Sequence, residues 1–123
     1  MRKVFLGLPP VEGTEPPTRA ESVAGAIWGL IDAGTAGGIY HWTDLGVASW
    51  YDFAVAVQDE ALVRGLLTRA VPVIPIPSSA YPTRARRPSF SVLDTASTRA
   101  LLKVPARHWR HNLRTMLDEL RTA

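Results

Sequence analysis

Closely spaced prolines divide this chain in two. Pro72, Pro75 and Pro77 fall within the segment VPVIPIP, residues 71–77. Because proline has no amide proton to donate to a sheet, we predict this segment to be an edge strand or a polyproline-like stretch, and not a central strand. The chain therefore lacks a strand through its middle around which a wide sheet could form, and its regular structure is expected to be mostly helical.

The first half is predicted to hold one helix and one strand. Thr18 and Glu21 have the spacing of a capping box, so we expect a helix to begin there, and Gly34 is placed to end it. Apolar residues recur at helical spacing between these points, which predicts that Trp28 packs in the core. GIYHW, residues 38–42, is rich in strand-forming residues and is the strand candidate.

A second helix is predicted between Ser49 and Gly65. Ser49 and Asp52 repeat the capping-box spacing, and Gly65 stands where the apolar pattern stops. The predicted apolar face of this helix comprises Phe53, Ala54, Val57, Ala61 and Leu62.

The last third of the chain is predicted to contain a brief strand and two helices. Residues 91–97 indicate a short strand leading to Asp94 as the N-cap of a helix through Leu102, and a final helix follows Pro105. The apolar stripe of the final helix comprises Trp109, Leu113, Met116, Leu117 and Leu120. These elements predict one small α/β or α+β lobe, after an irregular lead-in over residues 1–16.

Composition limits the class of protein. The 123 residues are 46% apolar and 20% charged, which is typical of a single globular domain. The chain contains no cysteine, which excludes disulfides, thiolate zinc sites and a cysteine nucleophile. No stretch approaches the ~20 apolar residues of a membrane span, so we expect a soluble cytoplasmic protein with no membrane partner.

Basic residues are concentrated in the second half. Between Arg84 and Leu117 there are eight Arg or Lys residues and one acid, Asp94. This asymmetry predicts an anionic partner: a nucleic acid, a phosphorylated small molecule or an acidic protein face. A nucleic acid is the least favoured of the three, because the net charge of the chain is only +3 and no nucleic-acid-binding motif is recognisable.

The densest basic cluster is a loop. Arg84, Arg86 and Arg87 lie between Pro82 and Pro88. A guanidinium group presents a fork of donors that matches phosphate oxygens in pairs, and the prolines restrict the loop, so that less entropy is lost on binding. Two interpretations stay open from the residues alone: the loop binds an anion, or it is a solvated loop whose arginines pair with nearby carboxylates.

The motifs indicate no catalytic, metal-binding or cofactor-binding residue. His108 and His111 lie three apart on the last predicted helix, but no acid or third histidine accompanies them. Ser78 and Ser79 have no general base near them in the sequence. The chain also lacks a glycine-rich turn after a strand and a phosphate-binding loop, so no nucleotide cofactor is expected in it.

Three segments of the sequence resemble the C-terminal part of dTDP-4-dehydrorhamnose reductases, a family of extended short-chain dehydrogenases/reductases. They are GIYHWTDLGVASWYDFAVAV, VPVIPIPSSAYPTRARRPSFSVLDTA and HWRHNLRTMLDEL. The most specific parts are the run I-P-[ST]-[ST]-x-Y-P-T-x-A-x-R-P-x-x-S-x-L-D and the helix start [ST]-W-Y-x-F-A. The likeness runs from about Pro17 to the end, so residues 17–123 are assigned as the substrate-binding domain of such a reductase.

The resemblance implies a fold, a reaction and a site. Such reductases combine a Rossmann-type domain that binds NADPH with a smaller lobe that closes over the nucleotide sugar. They reduce the 4-keto group of dTDP-4-dehydro-rhamnose, so a dTDP-sugar is the implied partner. The predicted substrate-binding set adds two aromatic residues at element ends to the arginine loop, and it comprises Trp50, Tyr81, Arg84, Arg86, Arg87, Pro88 and Ser91. For Trp50, the alternative of a packing anchor at a helix start stays open.

This chain departs from the family pattern in two ways. Phe90 and Val92 stand where Asn and Arg are frequent, so family contacts at these positions are not carried over. The N-terminal glycine turn is missing, and none of Tyr40, Tyr51 and Tyr81 is followed four residues later by the Lys of the proton-donating Tyr-x-x-x-Lys pair. We therefore expect a truncated reductase-like chain that binds the sugar nucleotide at most and does not catalyse alone.

The partner of such a lobe has more than one possible form. The lobe could act with a separate cofactor-binding half, or it could associate with itself. The alternative function is a non-catalytic regulatory or interaction module on the same scaffold, as in the regulatory subunit of methionine adenosyltransferase, which belongs to the same family.

Overall fold

Four α-helices and a two-stranded sheet form the part of the chain that the structure describes. This computed structural model describes residues 14–122 except 82 and 86, and the main chain alone at position 78. The elements in chain order are β1 (Thr14–Glu15), α1 (Ala20–Asp32), β2 (Ala48–Ser49), α2 (Trp50–Val63), a 3₁₀ turn (Ser78–Ala80), α3 (Ala96–Leu101) and α4 (Trp109–Thr122). The predicted small lobe of mixed helix and strand is therefore observed, with helices dominant.

The core lies between α2 and α4. It comprises Ala48, Ala56, Trp109, Leu113 and Leu117, with Phe53 and Val57 packed against it. The rings of Phe53 and Trp109 meet edge to face at a centroid distance of 5.9 Å. The predicted stripe of α4 is confirmed at Trp109, Leu113 and Leu117, whereas Met116 and Leu120 are exposed. The buried stripe is therefore narrower than predicted, and it is limited to the residues that join the core with α2.

The two ends of α2 follow the sequence prediction. The Asp52 amide donates to Ser49 Oγ at 3.1 Å, and the Ser49 amide donates to Asp52 Oδ2 at 2.9 Å, so the capping box is present. Gly65 follows the helix with a φ of 71°, a left-handed conformation that glycine adopts without steric cost.

The start of α1 differs from the prediction. The helix begins at Ala20, and the Thr18 hydroxyl donates to the Pro16 carbonyl instead of capping the helix. The Arg19 amide donates to the carboxylate of Asp44 at 3.1 Å. The predicted capping box is therefore wrong, because the Thr18 hydroxyl is bonded elsewhere and a carboxylate from a distant loop binds the start of the helix instead. The predicted end at Gly34 is confirmed, since the helix ends at Asp32 and Gly34 has a φ of 61°.

The buried face of α1 consists of small residues. Ala26 is buried, and a Cβ atom on Gly29 would lie 3.1 Å from the side chain of Leu102. Leu30 is half-buried, but the other large apolar residues of α1 are exposed, and Trp28 is 65% exposed. The prediction that Trp28 packs in the core is therefore wrong. The periodic pattern identified the helix but not the face by which it packs.

Residues 38–42 form no strand, contrary to the prediction. The Trp42 indole donates to Ser22 Oγ at 3.1 Å, and the His41 amide donates to Thr98 Oγ1 at 3.2 Å. Within the described residues, the segment 71–77 forms no strand either, so it does not pair with residues 38–42. A strand-forming sequence without a partner strand stays irregular.

The segment before α3 is not a strand either. Residues 91–95 are irregular, and α3 begins at Ala96, with Asp94 Oδ1 accepting from the Ala96 amide at 2.9 Å. Asp94 therefore satisfies a free amide at the helix start, as expected of a cap, although the N-cap position itself belongs to Thr95.

The two-residue strand β1 was not predicted. Thr14 lies opposite Ser49 of β2 in an antiparallel pair. On its other side the Thr14 amide donates to the Ser89 carbonyl at 3.0 Å, and the Ser91 amide donates to the Thr14 carbonyl at 3.1 Å. β1 thus lies between the start of α2 and the end of the arginine loop. Residues 1–13, the rest of the predicted irregular lead-in, lie outside the described residues.

Candidate functional site

The arginine loop, residues 81–91, leaves the 3₁₀ turn and ends at β1. The Thr83 hydroxyl donates to the Ala85 carbonyl at 2.7 Å, which holds a tight turn beside Arg84. Arg84, Arg87 and Pro88 are exposed. The third predicted arginine, Arg86, lies outside the described residues, as does Pro82.

The guanidinium groups of Arg84 and Arg87 make no ion pair or hydrogen bond to any of the described residues. Other arginines of the lobe are bound to carboxylates, namely Arg19, Arg64, Arg110 and Arg114. Of the two interpretations open from the sequence, pairing with nearby carboxylates therefore finds no support at Arg84 and Arg87.

A cavity of about 310 Å³ lies beside the loop at the start of α2. The residues lining it are Glu15, Pro16, Pro17, Thr18, Ala48, Ser49, Trp50 and Phe53. Trp50 is half-buried, and its ring meets that of Phe53 edge to face at 6.2 Å. Trp50 therefore serves both as a packing residue and as a wall of the cavity. The lining residues 15–18 were missed, although the Pro16-Pro17 pair marks a stiff segment in the sequence.

β1 joins the cavity to the arginine loop. Glu15 lines the cavity, and its neighbour Thr14 holds the Ser91 amide. Trp50 directly follows β2, and the Ser91 amide bonds to Thr14 of β1, so both of these predicted site residues adjoin the β1–β2 pair. Tyr81 and Pro88 are exposed and, like Arg84 and Arg87, do not line this cavity.

Two of the eight basic residues between Arg84 and Leu117, Arg110 and Arg114, are paired with a carboxylate inside the lobe. Glu60 of α2 is buried and accepts hydrogen bonds from Arg110 at 2.9 Å, Arg114 at 2.8 Å and Arg64 at 2.8 Å. Burial raises the pKa of Glu60, but the hydrogen bonds from Arg110, Arg114 and Arg64 outweigh it and lower this pKa to about 2. Arg64 also binds Asp118, and this contact lowers the pKa of Asp118. The cluster fastens α2 to α4, so Arg110 and Arg114 are paired within the lobe, unlike Arg84 and Arg87.

Asp44 is a second buried carboxylate, 2% exposed. It accepts hydrogen bonds from the Arg19 amide, from the Ser22 hydroxyl and from Asn112 Nδ2 at 2.7 Å. These contacts fix the start of α1 against α4, so the role of Asp44 is structural. No signal in the sequence singled it out, because its partners lie 22 to 68 positions away.

His108 and His111 both contact neighbouring side chains. His111 Nε2 lies 2.6 Å from the Arg107 guanidinium, and the His108 ring packs on Trp109. Within residues 14–122, leaving out 82 and 86, no group of three or more His, Asp or Glu side chains is placed to hold a metal ion. In the same part of the chain, no helix is both long and apolar enough to cross a membrane.

Comparison with known proteins places this site in a family. Residues 13–122 match the family described as the RmlD substrate binding domain. The chain belongs to this family. The match extends from β1 through α4, so the cavity and the arginine loop both lie within the RmlD substrate binding domain.

Relatives of this RmlD substrate binding domain include dTDP-4-dehydrorhamnose reductases. The chain is 33% identical over 103 residues to the dTDP-4-dehydrorhamnose reductase of Escherichia coli K12, covering 84% of this chain and 34% of that protein. It is 41% identical over 76 residues to the Burkholderia thailandensis reductase, covering 60% and 26%. The crystal structure of a dTDP-4-dehydrorhamnose reductase from Clostridium acetobutylicum matches 91% of this chain and 38% of its own, with a TM-score of 0.75 and 29% identity. The chain thus spans about a third of the length of the relatives it matches.

Proposed function

We propose that this chain is the nucleotide-sugar-binding lobe of a dTDP-4-dehydrorhamnose reductase-like protein, with a dTDP-sugar as its ligand. The observation that carries the proposal is the pair of exposed guanidinium groups, Arg84 and Arg87, which no described carboxylate neutralises. Membership in a family described as substrate-binding supports the assignment, as do relatives named for a dTDP-linked sugar.

Arg87 is the main anion contact in this proposal. It precedes Pro88, which restricts the backbone, and its fork of donors can bind two oxygens of a diphosphate at once. Arg84 and Arg86 are secondary contacts. The cavity walled by Trp50 then holds an uncharged part of the ligand, the base or the sugar, because an aromatic wall offers a flat apolar surface for stacking.

The reduction itself is assigned to residues that this chain does not carry. It needs a hydride source and a proton donor, which the family supplies with NADPH and the Tyr-x-x-x-Lys pair. The described residues contain only a two-residue antiparallel strand pair, with no parallel strand-turn-helix unit to hold a dinucleotide. The described residues therefore do not fit NADPH, and in this proposal the role of the lobe is to bind and orient the sugar nucleotide.

Titration of dTDP or dTDP-rhamnose into the full chain by calorimetry or NMR tests the site. A charge-assisted hydrogen bond contributes about 1.5–3 kcal/mol, so Arg87→Ala should weaken binding roughly tenfold or more. Arg99→Ala is the matched control, since Arg99 lies on α3 outside the loop and makes no ion pair among the described residues.

Two results would contradict the proposal. Equal weakening by Arg87→Ala and Arg99→Ala would mean that the basic half acts only as a diffuse positive field. Tighter binding of duplex DNA than of the dTDP-sugar, with a steep dependence on salt, would mean that the anionic partner is a nucleic acid.

A further inference from the structure

The two hydroxyl groups in the lining of the cavity at the start of α2 already have partners within the lobe. Ser49 Oγ donates to Asp52 Oδ2 at 2.7 Å and accepts from the Asp52 amide at 3.1 Å. Thr18 Oγ1 donates to the Pro16 carbonyl at 2.9 Å and accepts from the Asp44 amide at 3.3 Å. Each hydroxyl therefore has both a donor and an acceptor, and neither needs a ligand to complete its hydrogen bonds.

Glu15 is the lining residue whose polar group is not engaged in this way. It is half-buried in β1, opposite Ala48 of β2, and its carboxylate makes no ion pair or hydrogen bond to any residue that the structure describes. The indole N–H of Trp50 likewise has no hydrogen-bond partner in the described part of the chain. An ionised carboxylate only accepts hydrogen bonds, and an indole N–H only donates them. The side chains of the cavity therefore present one charged acceptor beside one aromatic donor, among apolar walls.

The cavity and the arginine loop adjoin at β1 with charges of opposite sign. Glu15 is negative and lines the cavity, and its neighbour Thr14 bonds the end of the loop that carries Arg84 and Arg87. A half-buried carboxylate repels a phosphate group, whereas the arginines attract it. A ligand with a diphosphate and an uncharged group satisfies both regions in one direction only, with the diphosphate outside the cavity.

We propose that Glu15 determines the specificity of this cavity: its carboxylate accepts a hydrogen bond from an O–H or N–H group on the uncharged part of the ligand and keeps phosphate out. A dTDP-sugar carries two sources of such a donor, the imide N–H of thymine and the hydroxyl groups of the sugar. The inference rests on the proposed function, because it takes the ligand class from it. It adds the direction in which the ligand lies and the kind of group that the cavity selects.

NMR titration of the full chain with three probes tests this role of Glu15. Thymidine and methyl rhamnoside are uncharged and distinguish the base from the sugar, and inorganic pyrophosphate probes the arginine loop. The amide signal of Trp50 reports the cavity, and that of Arg87 reports the loop. A charge-assisted hydrogen bond is roughly twice as strong as a neutral one, so Glu15→Gln should weaken binding of the uncharged probe that enters the cavity by roughly fivefold. Binding of pyrophosphate should not be weakened by Glu15→Gln.

Asp32→Asn is the matched control for the change in charge. Asp32 is the exposed last residue of α1 and does not line the cavity, so its loss should leave binding of the uncharged probe unchanged. Equal binding of both uncharged probes by Glu15→Gln and the wild type would overturn the proposal, as would the lack of any shift of the Trp50 signal with either of them.

The same titrations separate this inference from the proposed function. Weaker pyrophosphate binding in Arg87→Ala, with unchanged binding of the uncharged probes in Glu15→Gln, would refute the role of Glu15 alone. The reverse result would refute the diphosphate contact of Arg87 alone.

Discussion

Glu60→Gln should remove a large share of the stability that joins α2 to α4. The folded lobe lowers the pKa of Glu60 from 4.5 to about 2, because three arginines surround a buried carboxylate. This difference corresponds to an upper limit of about 3 kcal/mol of unfolding free energy at pH 7. The side chains of Arg110 and Arg114 are 40% and 51% exposed, so solvent screening reduces the expected loss to about 1–2 kcal/mol.

The contribution of Glu60 to the free energy of unfolding should depend on pH in a defined direction. A carboxylate whose pKa falls on folding stabilises the fold above its unfolded pKa, and this contribution disappears as the pH falls from 4.5 toward 2. The wild-type chain should therefore lose stability to urea over that interval faster than Glu60→Gln. The difference in unfolding free energy between the two proteins should be largest near pH 7 and should close at the acid end.

Asp59→Asn is the matched control for Glu60→Gln. Asp59 is adjacent on the same helix and lies 3.8 Å from the same Arg110, but its side chain is 53% exposed, so its removal should change stability by less than about 0.5 kcal/mol. The measurement is urea unfolding followed by circular dichroism between pH 7 and pH 3. A Glu60→Gln loss that is equal at both pH values, or no larger than that of Asp59→Asn, would refute the electrostatic account.

Two further pairs of substitutions test individual contacts of the lobe. Asp44→Ala should destabilise the chain by about 2–4 kcal/mol in urea unfolding, because it removes a hydrogen-bond partner from Asn112 and from the start of α1. Loss of the exposed cap in Asp94→Ala should cost about 1 kcal/mol. Equal losses in the two variants would contradict the structural role of Asp44. Gly46→Ala should lower the melting temperature more than Gly34→Ala. Both glycines have positive φ, but only at Gly46 would the new Cβ collide with a side chain, the imidazole of His108, so equal shifts would count against that packing.

The sequence predicted elements whose cause is local. The capping box at Ser49 and the stop at Gly65 depend on residues within a few positions, and the structure confirms both. The start of α1 depends on Asp44, which lies 25 positions from the amide it caps, so local spacing misled the prediction there. Residues 38–42 failed as a strand for a related reason, since a strand exists only where another strand pairs with it.

The candidate site was predicted in part. The sequence indicated an exposed arginine loop, and Arg84 and Arg87 are exposed as expected. It also predicted that the excess of basic residues between Arg84 and Leu117 meets an anionic partner, but Arg110 and Arg114 are paired with Glu60, which lies 50 and 54 positions away. Residue size favoured the wrong face of α1, because glycine and alanine can approach a neighbour more closely than isoleucine or tryptophan can.

The small residues on the inner face of α1 also determine the order in which the lobe opens. Such residues bury little apolar surface, so the contact of α1 with Leu102 and Val104 contributes less to stability than the packing between α2 and α4. We therefore expect α1 to detach at a lower free energy than the α2–α4 core unfolds, so its amide protons should exchange with solvent through a local fluctuation rather than through global unfolding. A molecule that packs on the outer, apolar face of α1 would suppress this fluctuation. Slower amide exchange in α1 would therefore report such a contact even when exchange in the α2–α4 core is unchanged.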